Sequence, residues 1–196
     1  MSVISRTEQK ARTRTEILAA ARRVVAEQGF ATTTARDVAA AAGVAIGTVF
    51  LHFPTMGQLA ETLLDETVGA ALVTAAQQRP DGLIERLVHV SDCLFQGYAA
   101  EPELSRQVIA GSLFESAPGS PSQLRMGEFR GWVVDEVSAA VGRGEIAPID
   151  PGAAFLGYFA LYFGALVVGL RGELDRDAQL ALLRASLQRL FAQKEN

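Results

Sequence analysis

Apolar positions in this 196-residue chain recur at steps of three and four almost from end to end. That spacing places them on one face of an α-helix. Residues 12–28 align Ile17, Ala21, Val24 and Val25, with Gly29 as a stop. Residues 56–78 align Leu59, Leu63, Leu64, Val68, Ala71 and Leu72, before Pro80-Asp81-Gly82 breaks the chain. Residues 83–99 carry Ile84, Leu87, Val88, Ser91, Leu94, Phe95 and Tyr98 in the same rhythm. A shorter helix follows Pro102, with Leu104, Val108 and Ile109, and SAPGSPSQ reads as a loop. Residues 123–142 align Met126, Phe129, Val133, Val137 and Val141; two further helices are predicted over 151–171 and 177–193. Strand-period segments never exceed a few residues, and there are no internal repeats. The expectation is an all-α protein of about nine helices, with an N-terminal helix-turn-helix domain over 1–55 and a C-terminal helical body over 56–196.

The densest local signal lies at 33–53, TTARDVAAAAGVAIGTVFLHF. Thr34 is a good N-cap, and Asp37 three residues on can return a bond to the cap's N–H. A two-turn helix over 35–42 then turns Val38, Ala39 and Ala42 inward. Gly43 ends it, because glycine takes a left-handed backbone without steric cost. Val44 plugs the corner, and residues 46–52 form a second short helix. Ala39, Val44 and Val49 make the small core of this helix-turn-helix, with the positions between them exposed and small enough to enter a DNA major groove about 12 Å wide. Thr48 fits a base or phosphate contact, and His52 can donate to a phosphate.

Charge sharpens this picture. The net charge is −4, but it is uneven. Residues 1–60 hold seven basic and four acidic side chains, whereas 61–196 hold eleven basic and eighteen acidic ones. A basic end beside an acidic body fits an anionic partner for the first domain only. Hydrophobic residues make up 49% of the chain, enough for a core without disulfides or metals. Its single cysteine, Cys93, and a polar, basic start without a signal peptide point to a reducing cytoplasm.

Residues 14–59 resemble the N-terminal domain of the tetracycline-repressor (TetR) family of bacterial transcription regulators. The matching pieces are the ILAAA helix, the EQGF stop, the T-T-x-R-D-V-A start, the A-G-V turn, the G-T-V-F segment and H-F-P-T before the next helix. The resemblance implies a homodimer that binds double-stranded DNA at a palindromic operator, as a repressor released by a small ligand. It carries a DNA-contacting role onto Thr33, Thr34, Arg36, Gly47, Thr48, His52 and Thr55, with Phe50 as an apolar contact. The chain departs from the family's pattern at Ala45-Ile46, where Ser-Lys is frequent, at Phe50-Leu51, where two tyrosines are frequent, and at Met56, where Lys is frequent. Each departure removes a hydrogen bond or charge that would face phosphate, so affinity and its salt dependence should be reduced. The basic arm of Lys10, Arg12 and Arg14 would compensate.

In the body, residues 151–170 are twenty consecutive uncharged positions. By length they suit a membrane span. A small-residue stripe (Ala153, Gly157, Ala160, Gly164) beside a bulky one (Phe155, Phe159, Tyr162, Phe163) instead suits a buried helix, so no membrane association is expected. The resemblance implies dimerisation through the last two helices, residues 151–193, and the Leu180, Leu183, Leu187, Leu190 row agrees with it. It also implies a ligand site in the middle helices. Leu94, Phe95, Tyr98, Phe114, Met126, Phe129, Trp132 and Tyr162 are the candidate lining, with His89, Gln96 and Gln123 as polar neighbours. No charged cluster stands out among them, so a small, mostly apolar ligand is expected. His52 and His89 have no partner at metal-ligand spacing, Cys93 has no activating neighbour, and no phosphate-cradling glycine loop occurs. Neither a metal, a cofactor nor an enzyme activity is expected. The competing reading is a helical small-molecule-binding or scaffold dimer whose DNA contacts have weakened.

Overall fold

The computed structural model describes residues 5–112 and 120–192. Phe114 and Lys194 lie outside them. The described residues form nine helices and no strand: α1 (Arg6–Gln28), α2 (Ala35–Ala42), α3 (Ile46–His52), α4 (Met56–Ala76), α5 (Leu83–Ala100), α6 (Pro102–Ser112), α7 (Pro121–Gly142), α8 (Pro151–Leu170) and α9 (Arg176–Leu190). The predicted all-α architecture is therefore observed. α1 begins six residues earlier than the apolar stripe shows. Ser5 and Glu8 form a reciprocal capping box there, and the added turns are polar and exposed. The end of the expected SAPGSPSQ loop is helical: Ser120 caps α7, and Pro121 occupies its first turn.

The chain divides into two compact units. In the first, described residues 5–66 and 103–112 share one core. Ile17, Ala21 and Val25 of α1, Val38 and Ala39 of α2, and Val49 of α3 are buried in it. Leu59, Ala60 and Leu63 of α4 join them, as does Leu104 of α6. Packing thus extends the N-terminal unit beyond residue 55, because the short α2 and α3 cannot cover the apolar face of α1 alone. Arginines of α1 add polar ties. Arg23 donates to the Ala41 carbonyl at 3.2 Å, and Arg22 donates to the Leu63 carbonyl at 3.3 Å and to Glu66 at 2.8 Å.

The second unit holds 67–102 and 120–192 of the described residues. Its centre is aromatic. The Phe95 and Tyr162 rings stack with centroids 5.5 Å apart, and Phe129 and Tyr158 pack beside them. The Tyr158 hydroxyl is fully buried, 2.8 Å from Ser91 Oγ. Burial raises the pKa of Tyr158 and Tyr162 above the usual phenol range, so both stay neutral hydrogen-bonding groups. α9 lies against α8 and α5. Arg184 forks onto Glu85 at 2.9 and 3.0 Å, and Arg176 pairs with Asp92. Among the predicted leucine row, Leu183 and Leu187 are buried inside the chain itself, and Leu190 lies 3.1 Å from where a Gly157 side chain would begin. Leu183, Leu187 and the Leu190–Gly157 approach therefore serve packing within the chain itself. The side of α8 and α9 left exposed is different: Leu156, Ala160 and Gly164, with Leu182.

Between α2 and α3, Gly43 sits at φ 67°, ψ 30°. Its N–H reaches the Ala40 carbonyl at 3.2 Å, and the Val44 N–H reaches that of Ala39 at 3.0 Å. This pair of bonds is the Schellman closure of a helix end. No atom lies within 4 Å of a Cβ built at Gly43, so substitution there is opposed by the backbone and not by a neighbour. Gly43→Ala should cost about 1–2 kcal/mol, and Gly43→Asn less, since Asn tolerates this conformation. Urea denaturation of the three proteins checks this; equal stabilities for Ala and Gly would contradict a left-handed turn.

Candidate nucleic-acid interface and ligand cavity

α2 and α3 cross at 103°, within the range of helix-turn-helix pairs. Val49 faces inward at 1% exposure, which turns the rest of α3 outward. Outward-facing are Ile46, Gly47, Phe50 and Leu51, with Thr48 half-buried beside them. Leu51 is the most open at 72%. The exposed positions were expected to be small; Gly47 is, with open space where a side chain would stand, but three large apolar residues share its face. Such residues can meet thymine methyl groups but cannot hold a phosphate.

The hydroxyl groups of the predicted contacts are mostly engaged. Thr33 is 8% exposed and donates to the Gly29 carbonyl at 2.7 Å, so it does not reach the outer face. Thr34 and Asp37 make the predicted capping box, with the Thr34 N–H 2.9 Å from Asp37 Oδ2 and the Asp37 N–H 3.3 Å from Thr34 Oγ1. Thr55 Oγ1 accepts the Gln58 N–H at 3.1 Å and starts α4. Arg36 is exposed beside this surface. His52 is half-buried, and burial, followed by the charges of Lys10 and Arg14, lowers its pKa, so near neutral pH it offers one neutral N–H.

Arg14 takes a role that periodicity did not reveal. Its Nη1 donates to the His52 carbonyl at 3.1 Å, and its guanidinium lies 4.2 Å over the Phe53 ring. The side chain thereby binds the C-terminal end of α3, where carbonyl groups lack helical partners. Arg12 pairs with Glu16 at 2.9 Å on the surface of α1. Of the expected basic arm, only Lys10 has no partner among the described residues.

Within the second unit, a cavity of about 360 Å3 opens between α4, α5 and α7. Of the candidate lining residues, Phe129 and Trp132 border it. Leu94, Phe95, Tyr98, Met126 and Tyr162 do not: Leu94, Phe95 and Tyr162 are core, and Met126 is 42% exposed elsewhere. Most of the lining is uncharged, but it is not free of charge. Arg79, Arg86, His89 and Glu136 all belong to it. Helix periodicity could not bring Arg86 and Glu136 together, since fifty positions and a third helix separate them in sequence. Among the described residues, no group of three His, Cys, Asp or Glu side chains is arranged to hold a metal.

This geometry has clear relatives. Residues 17–63 match the model of the bacterial regulatory proteins of the tetR family. Over 64 residues the chain is 39% identical to the transcriptional regulator TtgR of Pseudomonas putida, and equally to ArpR of the same species. That alignment covers 32% of this chain and spans about a third, 30%, of those relatives. The fold likeness is longer. RolR in complex with resorcinol superposes with a TM-score of 0.74 at 16% identity, covering 96% of this chain and 92% of that one. A TetR regulator from Rhodococcus sp. RHA1 gives 0.68 at 21% identity, covering 94% and 99%, and GusR of Salmonella enterica gives 0.63 at 23%, covering 96% and 98%. Residues 17–63 thus match the tetR-family domain, and the described chain shares the fold of solved TetR regulators.

Two outcomes test the local geometry. Ala45 is the N-cap of α3 and makes no side-chain cap bond. Ala45→Ser should stabilise the protein by about 0.5–2 kcal/mol, read by urea denaturation. Asp37 has its pKa lowered, first by the hydrogen bond from the Thr34 side chain. Its capping stabilisation is therefore complete above the ordinary carboxylate range and is lost as pH falls through the lowered value. Thr34→Val should flatten that acid limb of the stability profile.

Proposed function

We propose that this protein is a ligand-responsive transcriptional regulator that binds a palindromic DNA operator as a homodimer and represses until a small molecule releases it. The observation that carries the reading is the outward face of α3, held rigid within a TetR-family domain. Thr48, Gly47, Phe50 and Arg36 supply base and backbone contacts, and Thr34, Thr55 and His52 border them. Thr33 acts by shaping the loop before α2. The acidic body is kept off DNA by its charge, and nothing in the reading requires catalysis or a cofactor. A cytoplasmic location follows from that role.

Dimerisation is assigned to the exposed side of α8 and α9. α8 is long and apolar enough to cross a membrane, yet only 28% of its most apolar window is buried within the chain. Leu156, Ala160, Gly164 and Leu182 would meet the same side of a second copy instead of lipid, and burial at about 25 cal/mol per Å2 of apolar area would make the dimer lasting. Ligand in the cavity of the second unit shifts DNA affinity only by its differential affinity for the two states.

A second reading is favoured by the same interface. The departures at Ala45, Ile46, Leu51 and Met56, with Arg12 and Arg14 already committed, leave few cations for phosphate. On that reading the chain is a small-molecule-binding dimer with weakened DNA contacts. Mobility shift on the protein's own promoter region decides: a saturable, sequence-dependent complex supports the regulator, and its absence at micromolar dimer supports the alternative. Ala45→Ser with Ile46→Lys should add one phosphate contact per subunit and steepen the slope of log K against log salt by about 1.8. An unchanged slope would place residues 45 and 46 away from the backbone. Gly164→Leu should shift sedimentation toward monomer by overpacking the paired helices; a wild type that is monomeric at micromolar concentration would contradict the assignment.

A further inference from the structure

Arg86 lies on the floor of the cavity with its side chain only 8% exposed. A buried guanidinium normally spends its five donors on well-aimed acceptors. This one does not. Its Nε is 2.8 Å from Glu136 Oε2, an ion pair by distance, yet neither atom makes a hydrogen bond of good geometry. Nη1 is 3.5 Å from the Pro80 carbonyl, at the outer limit of a bond. Nη2 is 3.6 Å from Glu145 Oε2 and makes no hydrogen bond. Glu145 itself is held by Arg143 at 2.8 Å and by the Leu83 N–H. The other oxygen of Glu136 accepts from Arg79 at 2.9 Å.

Charge follows from this arrangement. Arg143 balances Glu145, and Arg79, 69% exposed, reaches one oxygen of Glu136 from the rim, which leaves Arg86 as the buried cation of the cavity, its Nη2 without a hydrogen bond. Glu128 stands at the exposed rim, where water screens it. His89 adds a polar wall: its Nε2 donates to the Ala75 carbonyl at 3.2 Å. Opposite lie the flat faces of Phe129 and Trp132, whose centroids are 6.2 Å apart.

We infer that the cavity takes a small organic acid, a carboxylate on a compact aromatic or alicyclic body, with the carboxylate on Arg86 and the body against Trp132 and Phe129. The planar fork of arginine matches a carboxylate in a way that an isolated point charge does not. The inference rests on the reading of this cavity as the ligand site, and it replaces the mostly apolar ligand expected from sequence. A volume of about 360 Å3 suits such a molecule and excludes large hydrophobic drugs.

Trp132 is the chain's only tryptophan, so its fluorescence reports on this cavity alone. The probes are three molecules of matched size: 3-phenylpropionate, 3-phenylpropanamide and 3-phenylpropylamine, titrated into the full-length protein at pH 7. The acid should bind at least about tenfold more tightly than the amide or the amine. Because Arg86→Gln alone would strand Glu136 and could unfold the chain, the variant is Arg86→Gln with Glu136→Gln, which keeps shape and removes both charges. Its far-ultraviolet circular dichroism should match wild type, and the preference for the acid should vanish. Arg86→Lys, which keeps the charge without the fork, should retain only part of it. If the amide or amine binds as well as the acid, the ligand class is wrong while the cavity remains a binding site. If the acid keeps its advantage in the double variant, Arg86 is not its anchor and the inference fails. If none of the three alters Trp132 fluorescence or gives heat by calorimetry, the cavity is not a ligand site and both readings fall.

Discussion

One constraint organises the N-terminal unit: α3 is too short to stand by itself. Isolated helices below about 12–15 residues are marginal in water, and α3 has seven residues and no side-chain cap. It exists because three neighbours hold it. The left-handed turn at Gly43 delivers the chain at the crossing angle, Val49 and Phe53 anchor it in the core, and Arg14 binds its terminal carbonyl. Each acts from the inner side or the ends. The outer side is thereby left free of structural duty, and it is the side that the proposed function uses.

The arginines of α1 show how a basic segment can serve folding before function. Counted by charge, the first sixty residues look like an anion-binding surface. In the structure Arg14, Arg22 and Arg23 point at main-chain carbonyl groups of three different helices. A guanidinium suits this work, because it brings several donors on a long stem and covers apolar surface as it crosses. Fewer cations remain for phosphate than the net charge implies, which makes the apolar residues on α3 weigh more in any DNA contact.

Helix positions were readable from sequence because each depends on short-range spacing and on caps, such as Thr34 with Asp37 and Gly43. The inner core of the helix-turn-helix was readable for the same reason. What lay hidden depends on contacts across long sequence separations. Nothing local marks Arg14 as a partner of His52, or Arg86 as a partner of Glu136. Nothing local tells whether a large aromatic residue fills the core, as Phe95 and Tyr162 do, or borders a cavity, as Trp132 does. In the leucine row of α9, Leu183 and Leu187 are buried while Leu180 and Leu190 are half-buried; period alone cannot say whether the covering surface belongs to the same chain or another.

The central claim is that α3 presents its outer face to duplex DNA. The most direct test places a photo-crosslinking amino acid, p-benzoylphenylalanine, at Leu51, which is 72% exposed on α3, and separately at Leu182, which is 51% exposed on α9. Each protein is irradiated with labelled duplex from its own promoter region, with and without unlabelled competitor. Crosslinks from position 51 that specific competitor removes, and none from position 182, are the expected result. Equal crosslinking from both positions, or crosslinking from 182 alone, would contradict the account.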